Sequence, residues 1–291
     1  MSKIKVAAAQ YDISFFAQWS DFADKLTQWV SQAADHQAKL LVLPEYGSME
    51  LASLFGEAIY KDLNGQLHAM QQVYPDWQAL HQELAHKFDL MILGASYPVL
   101  QHDGSFRNRA NLYGPDGLLG YQDKLIMTRF ENEQWLVKAG DEIKVLDTDI
   151  GKIGINICYD SEFPLIARQQ VAAGANLILV PSCTDTEAGF HRVRIGCQAR
   201  ALENQCFVVQ SPTFGQAEWS EAVDVNTGRA SIYTPVDYGF PDNGILVEGS
   251  KNTAQWVYAE LDLDSIEHVR QQGQVFNYRD WGKQNSLKTS F

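Results

Sequence analysis

Ile153-Gly154-Ile155-Asn156-Ile157-Cys158-Tyr159-Asp160-Ser161-Glu162-Phe163-Pro164 decides how this chain is read. An apolar strand stops at a cysteine, a polar and acidic turn follows, and Phe163-Pro164 opens a helix expected over residues 164–173. Most free cysteines are small buried hydrophobes. A strand–turn–helix junction changes that expectation. It exposes a nucleophile at the sheet edge and aims backbone N–H groups and the positive end of a helix at developing negative charge. Of the other three cysteines, Cys197 falls inside a predicted helix and Cys206 starts a strand. Cys183 follows a strand end but lacks the same turn.

Outward from this stretch the chain alternates strands and helices. Residues 4–9 read as a first strand. Ser20-Asp21 is a helix start, since a short polar side chain satisfies free backbone N–H groups. Phe22, Leu26, Trp29, Val30 and Ala33 follow at helical spacing. Residues 40–43 and 176–180 are short continuous apolar runs, the signature of strands buried on both faces. Further strands are expected at 90–94 and 206–210, and weaker ones at 231–234, 245–247 and 256–261. Helices are expected within 51–60, 77–87 and 193–203. Two hairpins are expected: residues 111–113 with 118–122 across Gly114-Pro115-Asp116-Gly117, and 143–146 with 152–157 across Asp149-Ile150-Gly151. An internal echo links the halves. Ala38-Lys39-Leu40-Leu41-Val42-Leu43-Pro44 parallels Ala175-Asn176-Leu177-Ile178-Leu179-Val180-Pro181, each after an alanine-rich helix end, which suggests two similar α/β halves packed as one domain.

Bulk properties bound the function. The chain has 291 residues, 45% of them hydrophobic, ample for a sizeable core. The net charge of −13 repels phosphate backbones, and no cluster of Lys and Arg offsets it, so nucleic acid is not an expected partner. No apolar run approaches the roughly 18 residues that span a bilayer, and residues 1–10 do not form a signal peptide. Four cysteines without a disulfide-like spacing fit a reducing cytoplasm. The histidines form no metal-ligand cluster and no phosphate-binding loop occurs, so neither a metal nor a nucleotide cofactor is expected.

A nucleophilic thiol needs a base. The seven histidines sit without a telling context, but a carboxylate can serve instead. Glu45 follows a buried strand and Pro44, although a Pro-Glu at a strand end is more often solvated. Lys124 follows the first hairpin in Gly120-Tyr121-Gln122-Asp123-Lys124. An ammonium near the thiol would hold a thiolate and stabilise an oxyanion.

Taken together and in order, these segments resemble the nitrilase, or carbon–nitrogen hydrolase, superfamily. Leu43-Pro44-Glu45 is similar to its first motif. Tyr121-Gln122-Asp123-Lys124-Leu125 is similar to its lysine motif, and Gly154 to Asp160 followed by Phe163-Pro164 to its nucleophile motif. The resemblance spans residues 3–256. It implies a four-layer α-β-β-α sandwich and a Glu45–Lys124–Cys158 triad that cleaves a small amide or carbamoyl compound through a thioester. It also implies an assisting glutamate, which Lys124-Leu125, Thr128, Glu131 and Trp135 place at Glu131, with Glu133 the alternative. The backbone N–H of Tyr159 is the expected second oxyanion donor. Tyr159-Asp160 after the cysteine is more like the amidase and carbamoylase branches than true nitrilases, which place Trp-Glu there. Several hydrolases of dicarboxylate amides carry Arg where this chain has Glu162, and Glu where it has Leu165. That speaks against an acidic substrate, and Glu162 becomes either a pocket residue for an amine-bearing amide or a charge at a helix start.

The family further implies a homodimer or a larger assembly of dimers. The helix around Arg192, Arg194 and Arg200 and the tail aromatics Phe276, Tyr278 and Trp281 are candidate contacts. The catalytic domain is expected over residues 1–262, with 263–291 a tail packing on the domain or on a partner subunit. Acyl transfer from the same thioester, or a catalytically silent binding protein on the same fold, are the rival readings.

Overall fold

The computed structural model describes residues 3–251 and 253–290; Met1, Ser2, Asn252 and Phe291, the last residue of the expected tail, lie outside them. Fourteen strands form one curled, strongly interrupted sheet. They are β1 (Lys3–Asp12), β2 (Leu40–Val42), β3 (Met91–Leu93), β4 (Tyr97–Leu100), β5 (Phe106–Gly114), β6 (Gly117–Asp123), β7 (Val145–Thr148), β8 (Gly151–Ile155), β9 (Leu177–Ser182), β10 (Phe207–Gln216), β11 (Val225–Asn226), β12 (Ser231–Tyr233), β13 (Ile245–Glu248) and β14 (Gln255–Asp262). The helices are α1 (Trp19–Asp35), α2 (Glu57–Tyr60), α3 (Gly65–Met70), α4 (Tyr74–Phe88), α5 (Arg129–Glu133), α6 (Pro164–Ala172), α7 (Glu187–Asn204), α8 (Leu263–Gln272) and α9 (Asn277–Asp280).

The spatial order along the main path is β4-β5-β3-β2-β1-β10-β9-β8-β7. Its centre is the parallel pairing of β1 with β10 at Tyr11–Thr213, where one half of the chain meets the other. Burial explains why the strands read as continuous apolar runs. Successive side chains of a strand point to opposite faces. In β1, Ala7, Ala9 and Tyr11 face a cluster with Phe22, Leu26 and Val30 of α1 and Trp77 and Leu84 of α4. Ile4, Val6 and Ala8 face the other way and join Ile153, Ile155, Leu177, Leu179 and Val208 of the second half. β2 and β3 divide likewise. The second half is covered on its far side by Val171 of α6 and Val193, Cys197 and Ala201 of α7. This is the expected four-layer α-β-β-α sandwich.

Local departures have local causes. The helix expected within 51–60 is instead a 3-10 helix over Gly47–Phe55 followed by the single turn of α2. Residues 47–53 are buried on every side, so no solvent-facing stripe exists to favour an amphipathic α-helix. The segment is pinned from within by Glu50, whose carboxylate accepts hydrogen bonds from the Tyr11 hydroxyl, at 2.8 Å, and from the Ser14 N–H. α1 begins at Trp19, one residue before Ser20, and Gln18 at its cap makes no side-chain bond to it. The hairpin expected from 111 starts five residues earlier, because β5 also carries β4 along its length. The sequence reading contained neither α5 nor the hairpin of β11 on the end of β10.

Parts of the tail contact the rest of their own chain. Ile266 and Val269 of α8 are buried, and Tyr278 and Trp281 stack on the Arg168 guanidinium, each about 5.0 Å away. Phe276 packs on Arg279, 3.7 Å away. Arg200 turns inward from α7 to pair with Glu203 at 2.6 Å and to donate to the Ser161 carbonyl oxygen. Among the described residues no helix is long and apolar enough to cross a membrane.

Candidate active site

Three chain segments deliver the site to one edge of the sheet. β2 continues through Leu43-Pro44, whose backbone is held by Leu93 and Ser96, and presents Glu45. β6 runs into Lys124, whose N–H bonds the Asn108 carbonyl of β5. β8 leads through Asn156-Ile157 to Cys158, the first residue of a 3-10 turn over Cys158–Glu162. The sequence order of the three motifs thus becomes a spatial cluster.

Lys124 is the hub. Its ammonium donates to Glu45 Oε1 at 2.8 Å and to both oxygens of Glu131, at 2.9 and 2.8 Å. All three side chains are about 98% buried, so water cannot substitute for these partners. Burial alone would strip the proton from Lys124, but Glu131 and Glu45 outweigh it and hold its pKa well above the usual range. Glu131 is the better paired carboxylate. Burial raises its pKa, but Lys124 and hydrogen bonds from Tyr46 and Thr128 reverse the sign and hold it below the ordinary value. Glu45 goes the other way. Burial pushes its carboxyl up, Lys124 opposes, and the Glu131 charge pushes it further up. Two carboxylates share one ammonium, and Glu45 is the one inclined to take a proton.

Cys158 is 4% exposed and lies against this cluster. Burial and the Glu45 charge raise the Cys158 pKa well above its usual value, with Lys124 opposing. Both effects favour the protonated form of the thiol over the thiolate. The backbone of Cys158 is in the left-handed region, φ +48°. Such a conformation costs a non-glycine residue roughly 1–2 kcal/mol, and it turns the side chain out of the strand into the cavity. Gly196 lets α7 close on this turn, since a Cβ there would lie 2.8 Å from the Ser161 carbonyl oxygen.

The cavity above the thiol has a volume of about 550 Å³ and includes Glu45, Lys124, Glu131 and Cys158 in its wall. Tyr159 and Glu162 line it. Glu162 pairs with Arg192 of α7 at 3.6 Å. Glu133 is not brought in. It is exposed and pairs with Arg129 at 2.8 Å, so the structure separates the two glutamates that the sequence left as alternatives. The reason is the helix cap. Thr128 and Glu131 form a capping box, which turns Glu131 back toward the core and leaves Glu133 on the outer face of α5. Thr128-x-x-Glu131 was a readable signal for this choice.

Further residues surround the cluster, and of these the sequence reading singles out only Cys183 and the Asp160 of the nucleophile motif. Asn108 donates to Glu45 Oε1 at 2.9 Å, and the Tyr46 hydroxyl donates to Glu131 Oε1 at 2.7 Å. Asp160 binds three backbone N–H groups, on both sides of the site. Cys183 lies in the cavity wall, its carbonyl oxygen 3.6 Å from the Cys158 sulfur, with its own thiol pushed up by burial to about 12. Asp185, Glu221 and Asp224 line the mouth. A larger cavity, of about 850 Å³, lies at the opposite edge among Lys3, Lys39, Lys152 and Glu260, and no cysteine lines it. Among the described residues no three His, Cys, Asp or Glu side chains are grouped as metal ligands would be.

Comparison with known proteins places the chain in a family. The family model described as carbon-nitrogen hydrolase matches residues 5–271. The probable hydrolase YhcX of Bacillus subtilis (strain 168) is 34% identical over 277 residues. That covers 95% of this chain and 53% of YhcX, so the chain spans about half the length of that relative. The omega-amidase NIT2 of Danio rerio is 26% identical, covering 94% of this chain and 93% of its own. The structure of Saccharomyces cerevisiae Nit3, a member of branch 10 of the nitrilase superfamily, superposes with a TM-score of 0.73 at 24% identity, covering 93% and 94% of the two chains. With a family match over nearly its whole length and a nitrilase-superfamily fold, this chain belongs to the carbon–nitrogen hydrolase family.

Proposed function

We propose that the protein hydrolyses a small amide or carbamoyl compound through a thioester on Cys158, with Glu45 as general base and Lys124 as oxyanion stabiliser. One observation carries this reading. The Lys124 ammonium is held between Glu45 and Glu131 beside a buried thiol, on the wall of a cavity sized for a small molecule.

In the first step the Cys158 sulfur attacks the amide carbon as Glu45 takes the thiol proton. The carbonyl oxygen becomes an oxyanion facing the Lys124 ammonium and the Tyr159 N–H, at the start of a helical turn whose first N–H groups lack intrahelical partners. The C–N bond then breaks, and Glu45 returns its proton to the departing ammonia or amine, leaving the thioester. In the second step water attacks the thioester carbon and gives its proton to Glu45. The C–S bond breaks, the thiolate regains that proton, and the acid leaves. The net change is amide plus water to acid plus ammonia or amine. Glu131 fixes Lys124 in its charged form through both steps, which its two hydrogen bonds to the ammonium support.

The substrate we propose is a neutral or amine-bearing amide. Glu162, Asp185, Glu221 and Asp224 at the mouth outnumber Arg129 and Arg192, and Arg192 is engaged by Glu162. Glu162→Gln is expected to lose affinity for cationic amides; unchanged KM for every amide tested would remove Glu162 from recognition.

The deciding experiment is ammonia release from a panel of small amides, carbamoyl compounds and nitriles by wild type and Cys158→Ala. Release that disappears in Cys158→Ala supports the hydrolase. Acyl product formed from an added amine, without release of free acid, would move the reading to acyl transfer. No turnover together with no selective alkylation of Cys158 would overturn both.

A further inference from the structure

We propose that Asp160 is a positioning residue that holds Lys124 and Cys158 in register by binding, with one carboxylate, the backbones that carry them. This rests on the reading that Lys124 and Cys158 act together in the same reaction.

Asp160 sits in the turn that Cys158 begins and is fully buried. Its Oδ1 accepts the Ile126 N–H at 2.7 Å and the Leu125 N–H at 3.1 Å. Its Oδ2 accepts the Ile157 N–H at 3.2 Å and a second, longer bond from Leu125 at 3.2 Å. Leu125 directly follows Lys124, and Ile157 directly precedes Cys158. The two segments come from different strands, β6 and β8, and belong to the two halves of the sandwich. The peptide N–H groups next to the ammonium carrier and next to the nucleophile therefore converge on a single side chain.

Two features make this more than ordinary satisfaction of buried N–H groups. The first is strain. A non-glycine residue in the left-handed region persists only where its surroundings over-determine it. Cys158 is such a residue, and Asp160 fixes the peptide before it while the Ser161 hydroxyl binds the Cys158 carbonyl at 2.6 Å. The second is placement. The loop after β6 also carries Thr128 and Glu131, so one carboxylate fixes the start of the segment that supplies both Lys124 and its second partner. A hydrogen bond is short-ranged and directional, which is what register between two loops requires.

The test is Asp160→Asn, an isosteric change that keeps one acceptor and turns a donor toward backbone N–H groups. Below its unfolding temperature the folded variant is expected to lose about tenfold or more in kcat, the scale of a small misplacement of reacting groups, with KM within about twofold. Alkylation of Cys158 by iodoacetamide, read by mass spectrometry on its peptide, is expected to slow by a similar factor. A merely structural role would lower Tm while leaving kcat and the alkylation rate of the folded protein at wild-type values, and that result would overturn the proposal. If wild type turns over no amide, the hydrolase reading fails while the alkylation comparison still decides the role of Asp160. If Asp160→Asn does not fold, hydrogen exchange on wild type decides instead. The amides of Leu125, Ile126 and Ile157 should be protected and open together, and independent or unprotected exchange would overturn the clamp.

Discussion

The two edges of this sandwich both carry lysine–carboxylate pairs, but the pairs mean different things. At the edge opposite the site, Lys3 meets Glu260 at 3.3 Å with both side chains more than 60% exposed. At the site edge, Lys124 meets Glu45 at 2.8 Å with both about 2% exposed. Water and salt screen the first pair, and such pairs contribute little. The second pair has no solvent to fall back on, so loss of one partner leaves an uncompensated buried charge. The difference between a surface contact and this buried cluster lies in the burial around the charges and not in the residue types.

Removing Lys124 breaks this comparison most severely. Lys124→Met leaves Glu45 and Glu131 facing each other without a cation. It is expected to lower kcat by roughly 10²–10³, the scale of one lost oxyanion donor. Urea unfolding should show a stability loss of about 3–5 kcal/mol. A variant with wild-type stability would mean that the site edge behaves like the surface edge.

His81 asks what burial does without a charged partner. It is 1% exposed, its Nδ1 lies 2.8 Å from the Trp77 carbonyl, and its Nε2 has no partner. Burial pulls its pKa down to about 4 from an ordinary value near 6.5. The folded state thus favours the neutral ring. The stability this gives is present above pH 6.5 and is lost as pH falls toward 4, by roughly 3 kcal/mol across the window. His81→Gln should flatten that part of the pH–stability curve measured by urea unfolding. An unchanged slope would assign it to other groups.

Asn108 sharpens the comparison at the level of a single hydrogen bond. Asn108→Ala removes the neutral donor on Glu45 Oε1 but leaves Lys124 in place. We expect a stability loss of about 1–3 kcal/mol and a shift of the acidic limb of the kcat/KM profile to higher pH, because a donor to the ionised carboxylate favours its charged form. An unshifted limb would separate Asn108 from the base. The smallest effect belongs to the opposite edge. Lys3→Gln should change the unfolding free energy by no more than about 0.5 kcal/mol, and less still at high salt.

Much of this was readable because it depends on local rules. Continuous apolar runs ending in Pro44 and Pro181, and an apolar strand ending at Cys158, are statements about neighbouring residues, and β2, β8 and β9 appear where those runs lie. Glu45, Lys124 and Cys158 were legible through their ordered motifs. The 3-10 helix over Gly47–Phe55 was not, because its conformation answers to Tyr11, Ser14 and Lys25 from remote segments. Glu131 and Glu133 differ by two positions in sequence. They were separated by which side of a short helix meets Lys124, and a capping box fixes that orientation.

By itself, then, the sequence determined the alternation of buried strands and covering helices, the strand-end positions of Glu45, Lys124 and Cys158 and the family to which their order belongs. These follow from periodicity, turn chemistry and residue type, which act over a few residues. Only the tertiary structure decided that Lys124 is shared between two carboxylates, that Glu45 is the one whose pKa rises, and that Asp160 ties two loops together. Those outcomes depend on distance and dielectric where Lys124 meets Glu45, 79 residues away, and Asp160 meets Ile126, 34 residues away, and no local pattern encodes either quantity.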